Sequence, residues 1–154
     1  MRVGVIAPRQ PPTVGGGFTF QATIIEALGR ARAAHEFILL DVSGLGAENC
    51  EQFALQFVDV QSLLPADSGH TPIQFAADEL NLDVVWFLDP LAEVLSVPVF
   101  ATVLDLAHRM HPFFPEVSTR GWDWDSRERH YRQVLPRAAR IFTGTQVGKD
   151  QIIR

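Results

Sequence analysis

The chain is short of cysteine, of lysine, of long apolar runs and of positive charge, and each shortage excludes something. The lone Cys50 forms no internal disulfide and supplies no cysteine cage for a metal, which fits a reducing compartment and makes the cytoplasm the simplest expectation. No apolar stretch approaches the roughly eighteen residues of a membrane-spanning helix. Met1 leads straight into a strand-like run, without the charged start and apolar core of a secretory signal. A formal net charge of -5 and a pI near 5.4 argue against non-specific affinity for nucleic acid or anionic membrane, both of which need a cationic surface. What positive charge there is comes almost wholly from arginine, and six of the twelve Arg fall between Arg120 and Arg140.

Two nucleotide fingerprints are also missing. No glycines are spaced as G-x-G-x-x-G, and no glycine loop ends in Gly-Lys-Ser/Thr. What is present is a globular composition: 154 residues, 47% hydrophobic and 20% charged, with eleven Phe. That length is close to the commonest for one domain and buries a substantial core without disulfides or metals.

Along the chain, Arg2 to Ala7 is a β-branched and apolar run of the kind that forms a buried parallel strand. Pro8 to Gly17 holds three Pro and three consecutive Gly and must be a loop. Phe18, Ala22, Ile25 and Gly29 then recur at helical spacing. Glu36 to Val42 is a second strand-like run. Ser43 to Asp59 reads either as a short helix or as a strand around Phe53 to Val60. Ser62 to Pro72 is a polar connection, and Ile73, Ala76, Ala77 and Leu80 mark a helix over Pro72 to Leu80. Asp83 to Leu88 and Pro98 to Leu104 are two more buried strands, with a short helical segment expected around Leu91 to Leu95. Asp105 to Trp122 is a long loop, and such loops are often functional. Trp124, Glu128, Tyr131 and Leu135 mark a helix face, with Asp123 or Asp125 placed to cap its start. A short strand at Arg140 to Thr143 and a helix beginning at Gln146 close the sequence. Strand alternating with helix implies an α/β fold, a Rossmann-like parallel sheet with helices on both faces, whose ligands sit beyond the carboxyl ends of the strands.

Three groups of residues are candidates for chemistry on that frame. Gly15, Gly16 and Gly17 stand between the first strand and its helix, where glycine lets a ligand approach the backbone and the free amides of the helix start favour an anion such as a diphosphate. The alternative is a turn that binds nothing. Asp105, His108, Arg109 and His111 follow a buried strand and so stand at the expected cleft edge. They offer a general base with its orienting partner, and an anion contact; equally, Asp105 caps a turn and His108 is a packed, hydrogen-bonded histidine. These residues have no recognised zinc spacing, so neither metal nor cofactor is expected. Trp122, Trp124, Arg127, Arg129, Tyr131 and Arg132 form either a sugar-stacking surface or, as such stripes more often do, core on one side and a solvated charged face on the other.

The residues carry a resemblance to the amino-terminal domain of retaining GT-B glycosyltransferases of the group 1, or family 4, type. Met1 to Ala7 with Gly15-Gly16-Gly17-Phe18 resembles that family's first strand and glycine loop. Val97 to Arg109 is similar to its strand and following Thr-Val-His-Asp-Leu signature, which Phe113-Phe-Pro-Glu116 continues. Pro136 to Ile153 looks like the segment before the family's second domain. The resemblance implies transfer of a sugar from a nucleotide-sugar donor to an acceptor. Gly15, Gly16, Gly17 and Arg109 would bind donor or acceptor, and Asp105 and His108 would be catalytic. Where the family's usual His precedes the Asp, this chain has Leu104, so Asp105 or His108 would have to compensate. It further implies a carboxyl-terminal nucleotide-sugar domain as partner, so that these 154 residues alone are not expected to turn over substrate. A stand-alone sugar- or nucleotide-binding module on the same fold is the alternative.

Overall fold

A computed structural model of the chain describes residues 1–9, 13, 16–31, 35–44, 53–65, 69–114 and 124–153. Gly15, Cys50, Glu116, Trp122 and Asp123 lie outside the described residues.

Six strands form one sheet: β1 (Arg2–Ile6), β2 (Glu36–Asp41), β3 (Gln56–Asp59), β4 (Val84–Trp86), β5 (Val99–Thr102) and β6 (Arg140–Phe142). Their order is β3-β2-β1-β4-β5-β6 and every pairing is parallel. This is the Rossmann-like α/β arrangement expected. The chain works outward from β1 to β3, returns to the middle, and works outward again from β4 to β6, so β1 and β4 flank the point where the winding reverses. Arg2 to Ile6 pair with Glu36 to Leu40 on one side, and Val3 to Val5 pair with Val84 to Trp86 on the other.

Alternation along these strands divides the core between the two faces of the sheet. Val3, Val5, Ala7, Leu39, Val84 and Leu88 pack with Ile25 of helix α1 (Gly16–Arg30). Ile6, Ile38, Leu40, Val85, Phe87, Val99 and Ala101 pack with the opposite layer. That layer comprises α2 (Val60–Leu63), α3 (Pro72–Glu79) and Val134 at the end of α5 (Trp124–Val134). Between α3 and α5 in sequence lies the single turn α4 (Ala107–Met110), and α6 (Gln146–Ile153) ends the described chain. Gly4 leaves room for two buried leucines, which would have to shift for any larger residue. A Cβ there would stand 2.6 Å from Leu82 Cδ1 and 2.8 Å from Leu40 Cδ1, closer than real Cβ atoms approach a neighbour.

Helix α3 shows how local sequence sets an element's limits. Thr71 caps it, accepting from Gln74 N–H, and Pro72 occupies the first turn, where no donor is needed. At the other end Asn81 takes the left-handed conformation, φ 50°. Asn81 N–H then reaches Asp78 O and Leu82 N–H reaches Ala77 O, which satisfies two terminal carbonyls.

Of the two readings left open for Ser43 to Asp59, the strand is found, at Gln56–Asp59; it ends there because the Asp59 carboxylate accepts from Gln61 N–H and turns Val60 into a helix. One expectation fails locally. No helix forms at Leu91 to Leu95, and the crossover from β4 to β5 is irregular. A five-residue helix closes one intrahelical hydrogen bond against the cost of nucleation. Here Pro90 and Pro98 also bracket the segment, and Leu91 and Val94 remain 42% and 53% exposed, so no apolar stripe rewards coiling.

Candidate functional site

Beyond the carboxyl ends of β1, β4 and β5 lies a cleft of about 340 Å³, lined among the described residues by Arg9, Gly17, Gln21, Asp89, Pro90, Leu91 and Leu104. It spans the point where the strand order reverses, the usual ligand position in sheets of this kind. Each wall follows from the fold. Arg9 leaves β1 three residues after Ile6, Asp89 leaves β4 three residues after Trp86, and Leu104 leaves β5 two residues after Thr102. Gly17 and Gln21 are one turn apart at the start of α1. Gln21 is a buried polar side chain on a helix face otherwise occupied by Phe18 and Ile25.

Arg9 and Asp89 meet inside this cleft. Arg9 Nε is 2.8 Å from Asp89 Oδ2, with the side chains 26% and 9% exposed. The separation is that of a contact ion pair, yet the N–H does not point at the oxygen. Among the described residues no hydrogen bond reaches the buried Nε and Nη2 of Arg9 or Oδ2 of Asp89. Asp89 Oδ1 is engaged: it accepts from Leu91 N–H at 2.9 Å and holds the turn. From behind, His130 of α5 donates through Nε2 to Pro90 O at 2.9 Å.

The glycine loop is described at Gly16 and Gly17. Among the described residues, a Cβ at either would meet nothing within 4 Å, so the described packing does not demand glycine there. No acidic residue stands in the first turn of α1, so no carboxylate in that turn offsets the positive end of the helix.

The second group is distributed differently from the sequence expectation. Asp105 is exposed; its Oδ1 accepts from Ala107 N–H at 2.9 Å and lies 3.6 Å from Arg127 Nη1. It therefore caps the turn that becomes α4. His108, expected as a catalytic base, is fully buried, with Nε2 2.9 Å from Glu128 Oε1 and the ring among Trp124 and Tyr131. Among the described residues no hydrogen-bond partner reaches its Nδ1. Its geometry is that of the packed alternative, which holds no face open to a substrate. Arg109 grips Glu128 with both arms of its guanidinium, Nε to Oε1 at 2.5 Å and Nη2 to Oε2 at 2.8 Å. None of Asp105, His108, Arg109 and His111 is among the described residues that line the cleft beside Arg9. His111 stacks on Phe114.

Glu128 is the centre of this second cluster. The Arg109 guanidinium, with a further hydrogen bond from His108, holds its carboxyl down to about 2, against the opposing effect of burial. Arg109 is raised in turn by the same hydrogen bond. Burial pushes the Tyr131 phenol up to about 12. Glu128 thus ties the 105–111 segment to α5 while His130, two residues on, ties the 89–91 turn to the same helix.

Glu128 was legible only as a helix-face residue; an acidic residue on an otherwise apolar face was the available signal. Arg9, Gln21 and Asp89 were missed altogether, although Asp89 immediately before Pro90 at a strand end is a turn signal. Among the described residues no cluster of His, Cys, Asp or Glu is suited to a metal, and no helix is long and apolar enough to cross a membrane. No family model, curated protein or solved structure matches the chain.

Proposed function

We propose that this chain is the amino-terminal, acceptor-side domain of a cytoplasmic retaining glycosyltransferase of GT-B architecture, which moves a sugar from a nucleotide-sugar donor to an acceptor. One observation supports the reading most. Gly17 and Leu104 belong to the two family-like motifs and are 87 positions apart in sequence, yet they line the same cleft. In this reading the start of α1 contacts the donor diphosphate through free backbone amides, and a carboxyl-terminal domain holds most of the nucleotide. Leu104 offers no polar atom, and in this reading the acceptor proton goes to the carboxylate of its neighbour Asp105, which is exposed and lies outside the described cleft lining. His108 and Arg109 act through Glu128 and position that rim. A binding module without catalysis is the second reading, favoured because neither Asp105 nor His108, the residues expected to be catalytic, is among the described residues that line the cleft.

The test is release of nucleotide from a panel of uridine, guanosine and adenosine diphosphate sugars by the full-length gene product, with the anomeric configuration of the product determined. One donor is expected to turn over with retention, and Gly16→Val and Asp105→Ala each to lower the rate at least about tenfold. Unchanged rates in both variants, or binding of a donor with no turnover, would overturn the enzyme reading; the latter outcome selects the binding module.

A further inference from the structure

We infer that Arg9 is a phosphate-binding arginine for which Asp89 is the placeholder: a diphosphate entering the cleft takes the guanidinium over from Asp89. The inference deepens the proposed function by naming the side chain that grips the diphosphate beside Gly17, and rests on that function only for the source of the diphosphate.

Two arginines of the molecule make a direct comparison. Arg109 turns Nε and Nη2 to the two oxygens of Glu128, the paired geometry in which a guanidinium binds carboxylate and phosphate most strongly. Arg9 has the same two nitrogens buried beside Asp89, and among the described residues no hydrogen bond reaches either. Asp89 does not complete the fork, because its Oδ1 is committed to Leu91 N–H, which leaves Oδ2 at 2.8 Å from Nε. The pair keeps its Coulomb attraction while three buried polar atoms go without hydrogen bonds, a state native structures rarely tolerate without a reason.

A phosphoryl group supplies what Asp89 lacks, two charged oxygens on one atom at the spacing of the fork. The rest of the cleft suits it. Gly17 lines the cleft at the start of α1, whose first turn holds no acidic residue, so the positive end of the helix and Arg9 act on an anion together. Among the described lining residues Arg9 and Asp89 are the charged ones. Asp89 is thus the group there that opposes an anion, and it is also the group the anion displaces. Arg9 is 26% exposed, which lets its guanidinium turn outward, whereas Asp89 is 9% exposed and stays fixed through Leu91. Once Arg9 has turned, Oδ2 is a buried carboxylate oxygen without its cation, and that cost offsets part of the gain. The empty cleft therefore closes on its own ion pair, and a ligand opens it only with the charge and paired oxygens of a diphosphate.

The test titrates inorganic pyrophosphate, without divalent metal, into the chain and its variants, followed by amide chemical shifts. Wild type is expected to bind, with the Gly17 and Leu91 amides among those that move. Arg9→Gln is expected to weaken binding about tenfold or more, the loss of a paired charged contact. Asp89→Asn keeps Oδ1 for Leu91 N–H but releases Arg9, and is expected to tighten binding about fivefold or more. In the double variant Arg9→Gln/Asp89→Asn that gain is expected to fall below about twofold, since Asp89 acts through Arg9. A gain that survives there means that Asp89 repels the anion directly and overturns the exchange. Absence of binding in wild type, an affinity that Arg9→Gln leaves unmoved, or weaker binding in a folded Asp89→Asn overturns it equally. If Asp89→Asn loses its dispersed amide spectrum, Arg9→Lys decides: it keeps the charge without the fork and is expected to bind about fivefold more weakly than wild type, and equal affinity would sink the inference. Pyrophosphate binding that depends on Arg9, without sugar transfer by the full-length product, defeats the proposed enzyme and leaves this inference standing; sugar transfer that Arg9→Gln leaves unchanged does the reverse.

Discussion

Glu128 and His108, twenty positions apart, face each other inside the protein with Oε1 2.9 Å from Nε2, and Arg109 closes on the same carboxylate from the solvent side. A carboxylate so placed depends on its partners, because burying it without them exposes a charge to a medium that solvates it poorly.

Replacing Glu128 by Ala is therefore expected to destabilise the fold by about 3 kcal/mol, within the usual cost of breaking a buried ion pair. Urea unfolding followed by circular dichroism measures it, and a loss under about 1 kcal/mol would show that the cluster is not structural.

The same contact sets an acid limit. The Glu128 carboxyl is depressed from an ordinary 4.5 to about 2, so the unfolded chain takes up this proton at a higher pH than the folded one. The stabilisation is fully present above the unfolded value and disappears as pH falls through the folded value. Wild-type stability is expected to decline between about pH 5 and pH 2, and Glu128→Gln to flatten that decline. Denaturation midpoints at half-unit pH intervals measure the difference, and parallel curves for the two proteins would refute it.

At Gly4 a side chain has no room. Gly4→Val is expected to cost about 1–3 kcal/mol through forced displacement of Leu40 and Leu82, visible as a fall in melting temperature. A stability equal to wild type would mean that the two leucines re-orient freely.

Gly17 gives the opposite result for stability. A methyl there meets none of the described residues, and alanine is favoured over glycine within a helix by about 0.5–1 kcal/mol. Gly17→Ala is expected to hold or raise the melting temperature while weakening any ligand of the cleft, since the methyl occupies open space. Titration and melting of one sample separate the two effects; undiminished binding would place the ligand elsewhere.

Removing the His130 imidazole leaves Pro90 O without its donor from α5. His130→Ala is expected to cost about 1 kcal/mol in stability and to weaken ligands of the Arg9–Asp89 pair, because the 89–91 turn loses its backing. Equal affinity in the variant would show that Asp89 Oδ1 and Leu91 N–H hold the turn alone.

Much of the fold was legible because parallel strands buried on both faces read as continuous apolar runs. Val3 to Ile6, Phe37 to Leu40 and Val99 to Val103 are such runs, and the glycine-rich stretch marks the entry to α1. The segment at Leu91 to Leu95 misled because its spacing mimics a helix, while the prolines and the exposure of Leu91 and Val94 prevent one. The site was legible only in part, for a topological reason. Arg9 and Asp89 are 80 positions apart, and they meet because β4 returns to pair with β1 on the side opposite β2. Hydrophobic pattern does not encode that choice of side. His108 was ambiguous from sequence because an imidazole serves a core and a catalytic rim equally well; the decisive fact, a carboxylate arriving from α5, belongs to tertiary structure.

Helix α5 touches the cleft's surroundings twice. Glu128 holds the segment after β5 and His130 the segment after β4, and residues two apart on a helix diverge by about 200°. The helix is consequently a shared hinge pin: neither rim can shift without pulling on the other. Substitutions at positions 90, 109, 128 and 130 are therefore expected to arise in concert in descendants of this sequence, so that ligand preference evolves through both sides of α5 together rather than one residue at a time.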